Sequence, residues 1–157
     1  MQKSTCVYLI HDQKWLMLYR NKKKNDVNHG KYIGTGGKFL PGETPLQCAL
    51  REVKEETGLS MTDPVYRGTV LFYYPHLPDE KIWIYTCSQY TGEMHEDEEG
   101  TLVWVSEDQI LDLNLWEGDR LFLKKLLHHE AGTFCLQLFY DEKDRLIHSE
   151  EREDTDQ

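Results

Sequence analysis

The sequence predicts an α+β fold, an alpha/beta/alpha sandwich in which a mixed β-sheet lies between helices. Two observations lead to this prediction. Runs rich in β-branched and aromatic residues occur on both sides of a helix with clear start and stop signals, and a second amphipathic helix precedes two closing runs. At 157 residues the chain is long enough for one domain with a substantial core. We predict a single domain over residues 1–148 and a polar, flexible tail over 149–157.

The predicted strands share β-branched and aromatic content and are bounded by turn residues. They cover residues 4–10, 15–20, 31–39, 65–74, 81–90, 102–105, 134–140 and 145–149. Glycines interrupt the third run, which indicates a bulge or a close approach of backbone. We expect 65–74 and 81–90 to pair as an antiparallel hairpin.

The first helix is predicted over residues 45–57. Thr44 is a suitable N-cap, Pro45 suits the first helical position, and Gln47 completes a capping box. Gly58 is expected to end the helix in the left-handed conformation. The second helix is predicted over residues 120–130.

The helical period separates two faces of the first helix. An apolar stripe, expected to be buried, contains Leu46, Ala49, Leu50, Val53 and Thr57. Three carboxylates, Glu52, Glu55 and Glu56, lie on another face. Like charges four residues apart destabilise a helix, and Arg51 offsets only part of that cost. The cluster therefore indicates a cation site, and hard oxygen ligands favour magnesium, manganese or calcium over zinc.

Composition narrows the range of partners and compartments. The net charge of −10 argues against binding to a nucleic-acid duplex, since neutralisation of phosphates dominates that affinity. The four cysteines form no CxxC pair, and we see no signal peptide or membrane-spanning run, so we expect a cytoplasmic protein with reduced thiols. The oligomeric state is left open.

The stretch from residue 37 to residue 59 resembles the signature of the Nudix hydrolases. The matching positions are Gly37, Glu43, Arg51-Glu52-Val53, Glu55-Glu56 and Gly58-Leu59, with the family's spacing. The resemblance implies hydrolysis of a nucleoside diphosphate linked to another moiety, with Mg²⁺ or alternatively Mn²⁺.

The resemblance also assigns roles within and around this box. Glu52 and Glu56 are expected as principal metal ligands, Glu55 as ligand or water-activating base, and Glu43 as a supporting ligand. Arg51 is expected to orient a box glutamate. Two metal contacts are implied outside the box: the carbonyl of Gly36, and Glu99 on the acidic run 95–99, with Glu98 as the second choice.

Four further residues are predicted to bind substrate. Arg20, at a strand end, resembles a phosphate contact of Nudix triphosphatases, and Lys38 is within reach of a phosphate. Trp116 and Asp119 resemble the base pocket of the MutT-type purine triphosphatases, although Ile33 stands where some of these enzymes carry a base-reading asparagine. Asp119 is also suited to cap the second helix.

These observations lead to three hypotheses. The first is a nucleoside triphosphate diphosphatase acting on an oxidised purine such as 8-oxo-dGTP. The second, which rests on Pro75 after the box, is hydrolysis of ADP-ribose or a dinucleoside polyphosphate. The third, a nucleotide-sensing module without activity, ranks below both because the box carboxylates are all present.

Overall fold

The computed structural model describes residues 1–156. Its helices are α1, Pro45–Thr57, and α2, Asp119–Leu127, with a 3-10 helix at Glu107–Asp112. Its strands are β1 Gln2–His11, β2 Lys14–Tyr19, β3 Tyr32–Ile33, β4 Ser60–Met61, β5 Val65–Tyr73, β6 Glu80–Cys87, β7 Tyr90–Thr91, β8 Thr101–Ser106, β9 Phe134–Tyr140 and β10 Leu146–Arg152.

The main sheet has eight strands and is mixed, as predicted. Its order is β10-β9-β5-β6-β1-β2-β3, and β8 pairs with β2. β1 runs parallel to β6 and β5 runs parallel to β9, whereas β5 and β6 form the predicted antiparallel hairpin. Residues 34–38 continue alongside β1 through isolated bridges at Thr35 and Lys38, which brings the start of the box beside the middle of the sheet.

One helix packs on each face of the sheet, which confirms the predicted sandwich. α1 packs through Ala49 and Val53 against a cluster that includes Val7 and Leu16. α2 belongs to the larger cluster on the other face, where Phe122 packs with other buried aromatic residues. Among residues 1–156, no helix is both long and apolar enough to cross a membrane.

Three details of the prediction need correction. Leu46 and Leu50, expected in the buried stripe of α1, are 44% and 37% exposed. The buried residues are Cys48, Ala49, Val53 and Thr57, because α1 turns this narrower stripe towards the sheet and leaves the two leucines at its margin. The second helix ends at Leu127, three residues before the predicted end.

The last strand is longer than expected. β10 pairs with β9 as far as Arg152, so residues 149–152, assigned to a flexible tail, belong to the sheet. Beyond them, Asp154 accepts a hydrogen bond from the hydroxyl of Tyr66, and Asp156 pairs with Lys81 at 2.8 Å. The single domain stays a prediction, and its predicted end at residue 148 falls inside β10.

Candidate active site

The start of α1 has the predicted capping box, which sets the rotation of the acidic face. The Gln47 backbone N–H donates to the Thr44 hydroxyl at 3.2 Å, and the Thr44 N–H donates to the Gln47 side chain at 3.0 Å. At the other end, Gly58 has φ 83°, the left-handed conformation that glycine adopts without strain. Both ends of the helix are thus specified locally, and the glutamates between them have a defined direction.

Arg51 joins three of the box carboxylates. Its guanidinium donates to Glu43 at 2.6 and 2.9 Å, to Glu52 at 2.8 Å and to Glu55 at 3.1 Å. The paired guanidinium lowers the pKa of Glu43 to about 2. Another N–H of Arg51 donates to the carbonyl of Lys38 at 3.0 Å, which ties the glycine loop to α1. These contacts fit the predicted orienting role.

The glycines before the box allow backbone and carboxylates to meet closely. A side chain at Gly37 would place its Cβ 2.5 Å from the carboxyl carbon of Glu52. At Gly36, with φ +133°, a Cβ would lie 2.1 Å from the carbonyl oxygen of Thr5. The Gly36 N–H donates to Glu56 at 3.2 Å, so this glycine lies directly against the acidic face.

Glu56 is the most perturbed carboxylate of the box. Its pKa is raised to about 9, first by burial and then by the negative charges of Asp97 and Glu52. Its second oxygen, Oε2, is buried and has no hydrogen-bond partner among residues 1–156. A buried acceptor without a donor costs free energy unless another positive group satisfies it.

The oxygen atoms around Glu56 fit a hard divalent cation as metal ligands. The orphaned Glu56 oxygen, the neighbouring Glu52 and the backbone of Gly36, which lines the same cavity, supply oxygen atoms of the kind that magnesium and manganese bind. Within residues 1–156, no three His, Cys, Asp or Glu side chains already surround one point. The site therefore has suitable ligand chemistry without a preformed cage.

A cavity of about 1170 Å³ unites most of the predicted site residues. Its wall contains the box residues Glu52, Glu55 and Glu56, the loop residues Gly36 and Lys38, and the more distant Arg20, Glu99, Trp116 and Asp119. Glu43 and Arg51 do not line it, since they lie behind the carboxylates that do. The predicted metal-binding and substrate-binding residues thus meet in one space, although they come from widely separated parts of the chain.

The acidic loop contributes in a way that the sequence did not reveal. Glu99 lines the cavity, but its carboxylate pairs with Arg20 at 3.0 Å and Lys23 at 3.5 Å. Asp97, only 8% exposed, is the carboxylate of this loop with the largest effect on the pKa of Glu56. Nothing in the local pattern distinguishes Asp97 from its acidic neighbours, because its burial depends on how the loop folds over the cavity.

Arg20 is already neutralised in the structure. Besides Glu99, it pairs with Asp26 at 2.6 Å, and its side chain is 15% exposed. Asp26 also accepts from the backbone N–H of Asn28, which orders the loop after β2. Arg20 therefore faces the cavity as a member of a four-residue ion-pair network with Asp26, Glu99 and Lys23, which the sequence did not predict.

The far end of the cavity is largely apolar and contains Asp119. Ile33, Phe72, Tyr74 and Trp116 line this end. Burial raises the pKa of Asp119 to about 7, an effect that Lys31 opposes and Glu80 increases. The alternative role of Asp119 as a helix cap is wrong, because Gly118 occupies the N-cap position and no side chain caps the helix.

Trp116 is fixed by contacts on two sides. Its indole N–H donates to the Asn28 side chain at 2.8 Å, and its ring packs edge-on against Tyr74 and Tyr140. The Lys31 ammonium lies 5.4 Å from the centre of a Trp116 ring. Asn28 and Lys31 were not predicted as site residues, since only the return of the loop after β2 brings them to Trp116, ahead of α2.

The comparison with known proteins agrees with this geometry. The sequence model of the NUDIX domain matches residues 1–126. The mixed sheet, the two helices and the carboxylate cluster at the end of a glycine loop define a hydrolase of this class, and the chain belongs to the Nudix family.

Particular relatives extend the match over nearly the whole chain. The chain is 30% identical to the oxidized purine nucleoside triphosphate hydrolase of Mus musculus over 146 residues, which cover 91% of this chain and 89% of the mouse protein. It is 29% identical to an uncharacterized Nudix hydrolase of Bacillus subtilis (strain 168), YvcI, with 85% and 86% covered. A MutT protein from Bacillus halodurans shares the fold with a TM-score of 0.86 at 23% identity, covering 96% of this chain and 97% of its own.

The protein is therefore a Nudix hydrolase, a class of enzyme that acts on nucleotide substrates. Nudix hydrolases generally use divalent metal ions.

Proposed function

We propose that this enzyme is a metal-dependent nucleoside triphosphate diphosphatase that hydrolyses an oxidised purine nucleotide such as 8-oxo-dGTP. Its products are the nucleoside monophosphate and pyrophosphate. The observation that carries the proposal is that one cavity contains both the Glu52 and Glu56 carboxylates and the apolar end with Trp116 and Asp119. The mouse relative is named for hydrolysis of oxidised purine nucleoside triphosphates.

The box residues supply the catalytic end of this cavity. Glu52, Glu56 and the carbonyl of Gly36 would hold Mg²⁺, with Mn²⁺ as an alternative, and Glu99 is the expected contributor from the acidic loop. When bound, the cation neutralises phosphate oxygens and lowers the pKa of an attacking water. Arg51 keeps Glu52 and Glu55 in position, with Glu43 anchoring the guanidinium from behind.

Proton removal from the attacking water is assigned to a box glutamate. Glu55 is 59% exposed and reaches the cavity, which suits a base that exchanges its proton with solvent. Lys38 lines the cavity beside the box and supports the negative charge that develops on the phosphates. Arg20 is assigned a phosphate contact as part of its network with Asp26 and Glu99.

The other end of the cavity is assigned to the base. The Trp116 ring offers an apolar surface for stacking. With a pKa of about 7, the carboxyl group of Asp119 is present near neutral pH both as an acceptor and as an O–H donor. The edge of a purine carries adjacent hydrogen-bond donors and acceptors, so a carboxyl group that can both donate and accept is suited to bind it.

A nucleotide panel tests the proposal. The protein with Mg²⁺ is assayed for pyrophosphate and phosphate release from 8-oxo-dGTP, dGTP, ADP-ribose and a dinucleoside polyphosphate. We expect pyrophosphate release to be most efficient with the oxidised purine and to stop when EDTA is added. Efficient turnover of ADP-ribose alone would overturn the proposal.

ADP-ribose or a dinucleoside polyphosphate is the second candidate substrate. The cavity of about 1170 Å³ is larger than the roughly 300–1,000 Å³ typical of small-molecule sites. It therefore has room for a substrate that carries a second sugar or nucleoside on the other side of its phosphates. The same panel decides between the two candidates.

We also assign the enzyme to the cytoplasm. Cys6, Cys48, Cys87 and Cys135 are all free thiols, as expected in a reducing compartment. Fractionation of cells that express the protein tests this assignment.

A further inference from the structure

A third part of the cavity wall contains a carboxylate that neither end of the site uses. Glu80, the first residue of β6, lines the cavity together with Ser4 and Gln2 of the neighbouring β1. The Ser4 hydroxyl donates to Glu80 Oε2 at 2.5 Å. Ser4 itself is 5% exposed, so this hydrogen bond is shielded from solvent, and Glu80 Oε1 has no side-chain partner among the hydrogen bonds of residues 1–156.

Unlike Asp26 and Glu99 of the same cavity, Glu80 has no ion-pair partner in the described part of the chain. Asp26 and Glu99 both pair with Arg20, whereas no Lys, Arg or His of residues 1–156 lies within ion-pair distance of Glu80. Burial raises its pKa, which the Ser4 hydrogen bond and the positive charge of Lys38 partly offset. Shielding a carboxylate that has only one hydrogen bond lowers the stability of the folded protein. Folding alone therefore gives no reason for a glutamate at this position.

Pairing of the two strands does not need the Ser4–Glu80 contact. β1 and β6 form a continuous parallel ladder from Gln2 opposite Glu80 to Leu9 opposite Cys87. Further along the same strands, Cys6, Ile82 and Ile84 also line the cavity and pack as ordinary core. The Ser4–Glu80 pair therefore lies where the polar end of this sheet surface meets the apolar core, and both residues line the cavity.

The neighbours of Glu80 place it between the two ends of the site. Glu80 pairs in register with Phe72 of β5, which lines the apolar end, so it lies on the base side of the cavity. Ser4, the hydrogen-bond partner of Glu80, bridges through its backbone to Lys38, which follows Gly37 of the box. In a nucleotide, the sugar is the part that connects the base to the phosphates.

A carboxylate oxygen in such a place accepts hydrogen bonds from hydroxyl groups. We propose that Glu80, positioned by Ser4, binds the sugar hydroxyls of the nucleotide and so makes the enzyme sensitive to the number of hydroxyls on the sugar. This inference rests on the proposed function, since it uses the same nucleotide spanning the same cavity. It adds a sugar contact to a site otherwise described by its metal end and its base end.

The experiment compares nucleotides that differ only in the sugar. Steady-state kinetics with Mg²⁺ are measured for 8-oxo-GTP, its 2′-deoxy form and its 3′-deoxy form. The proteins are the wild type, Glu80→Ala, Glu80→Gln and the control Asp79→Ala, which removes an exposed carboxylate from the adjacent position outside the cavity wall. Melting temperatures establish that each variant is folded, and Kd values of 8-oxo-GMP without metal give a reading independent of turnover.

We expect Glu80→Ala to raise KM for 8-oxo-GTP and the Kd of 8-oxo-GMP by about tenfold to a hundredfold, the range for a lost hydrogen bond to a charged group. kcat should stay within about twofold, because a contact made equally in the ground and transition states affects KM alone. With the deoxy form that lacks the contacted hydroxyl, Glu80→Ala should behave as the wild type does. Glu80→Gln, which keeps an acceptor oxygen, should recover part of the affinity, and Asp79→Ala should match the wild type.

Four results would overturn the inference. Equal changes in KM for all three nucleotides in Glu80→Ala would assign Glu80 a structural role, as would a loss of kcat that Glu80→Gln does not restore. If the wild type turns over none of the three nucleotides, the proposed function itself fails and the sugar assignment fails with it. Turnover by the wild type with no sugar preference that depends on Glu80 overturns this inference alone.

Discussion

The two ends of the cavity are built in different ways. At the box end, Gly36, Glu52 and Glu56 lie within one short stretch, and a helix with capped termini sets their spacing. At the base end, Trp116 and Asp119 face residues from β5 and from the loop after β2, far away in sequence. The geometry of the box end therefore depends on local structure, whereas the geometry of the base end depends on the whole fold. The base end, to which we assign the choice of substrate, is for this reason harder to predict from the sequence.

Both ends contain a shielded carboxylate with a raised pKa, but the surroundings differ. Glu56 is surrounded by further negative charge from Asp97 and Glu52, and one of its oxygens has no donor among the described residues. At Asp119 the positive charge of Lys31 instead partly offsets the rise in pKa, and the residue lies among aromatic side chains. The first environment favours a cation, and the second favours a neutral group with hydrogen-bond donors and acceptors.

The largest effect is expected from Glu56→Gln. The amide keeps the shape but removes the charge that the cation needs, so kcat with 8-oxo-dGTP and Mg²⁺ should fall on the order of 1,000-fold. KM should change by no more than about threefold, since the base end is intact. Glu93→Gln, at an exposed position outside the cavity wall, serves as the control. Unchanged turnover in Glu56→Gln would show that the metal lies elsewhere.

A smaller loss is expected from Arg51→Ala. The change leaves Glu43, Glu52 and Glu55 without their shared cation, so their mutual repulsion should displace them and weaken metal binding. We expect kcat/KM to fall by about 10-fold to 100-fold, the range seen when a residue that supports a metal ligand is lost. Titration of Mn²⁺ by electron paramagnetic resonance measures the affinity directly. Lys54→Ala, on the exposed side of the same helix, should leave both values unchanged, and a normal Mn²⁺ affinity in Arg51→Ala would refute the orienting role.

At the base end, Asp119→Asn should act on binding. The amide cannot change between donor and acceptor as a carboxyl group can, so KM for the oxidised purine should rise by about tenfold. kcat at saturation should remain within about threefold. A drop in kcat with constant KM would place Asp119 at the reacting phosphate, and the division between the two ends would then be wrong.

The stability of the metal-free protein should depend on pH through the titration of Asp119. The pKa of Asp119 is about 7 in the folded protein against 3.8 ordinarily. Between these values the folded state keeps a proton that the unfolded state releases, so this residue makes stability fall as pH rises from about 4 to about 7. Thermal unfolding should therefore find Asp119→Asn more stable than wild type at pH 8, with the difference vanishing near pH 4. An equal difference at both pH values would contradict the assignment.

The sequence predicted what is local and missed what depends on the approach of distant segments. Thr44, Gln47 and Gly58 specify α1 through contacts a few residues apart, so its bounds and its acidic face were predictable. Which side of its apolar stripe meets the sheet was not, and Leu50 is exposed as a result.

The same distinction applies to the site residues. Asp97 was missed because loop packing alone separates it from its acidic neighbours, and the pairing of Arg20 with Asp26 and Glu99 required the same loop. Asp119 was predicted from the resemblance to the base pocket of MutT-type purine triphosphatases, but its burial in the cavity, in place of a capping role, follows only from the position of α2 on the sheet.

The most direct test of the two-ended site is a crossed binding experiment on Glu56→Gln and Asp119→Asn. Affinities are measured by calorimetry for Mn²⁺ alone and for 8-oxo-dGMP without metal. We expect Glu56→Gln to lose Mn²⁺ affinity and to bind the nucleotide as the wild type does. We expect Asp119→Asn to lose nucleotide affinity and to bind Mn²⁺ as the wild type does. If either variant loses both affinities while remaining folded, or if Asp119→Asn binds the nucleotide normally, the separation of metal and base between the two ends is contradicted.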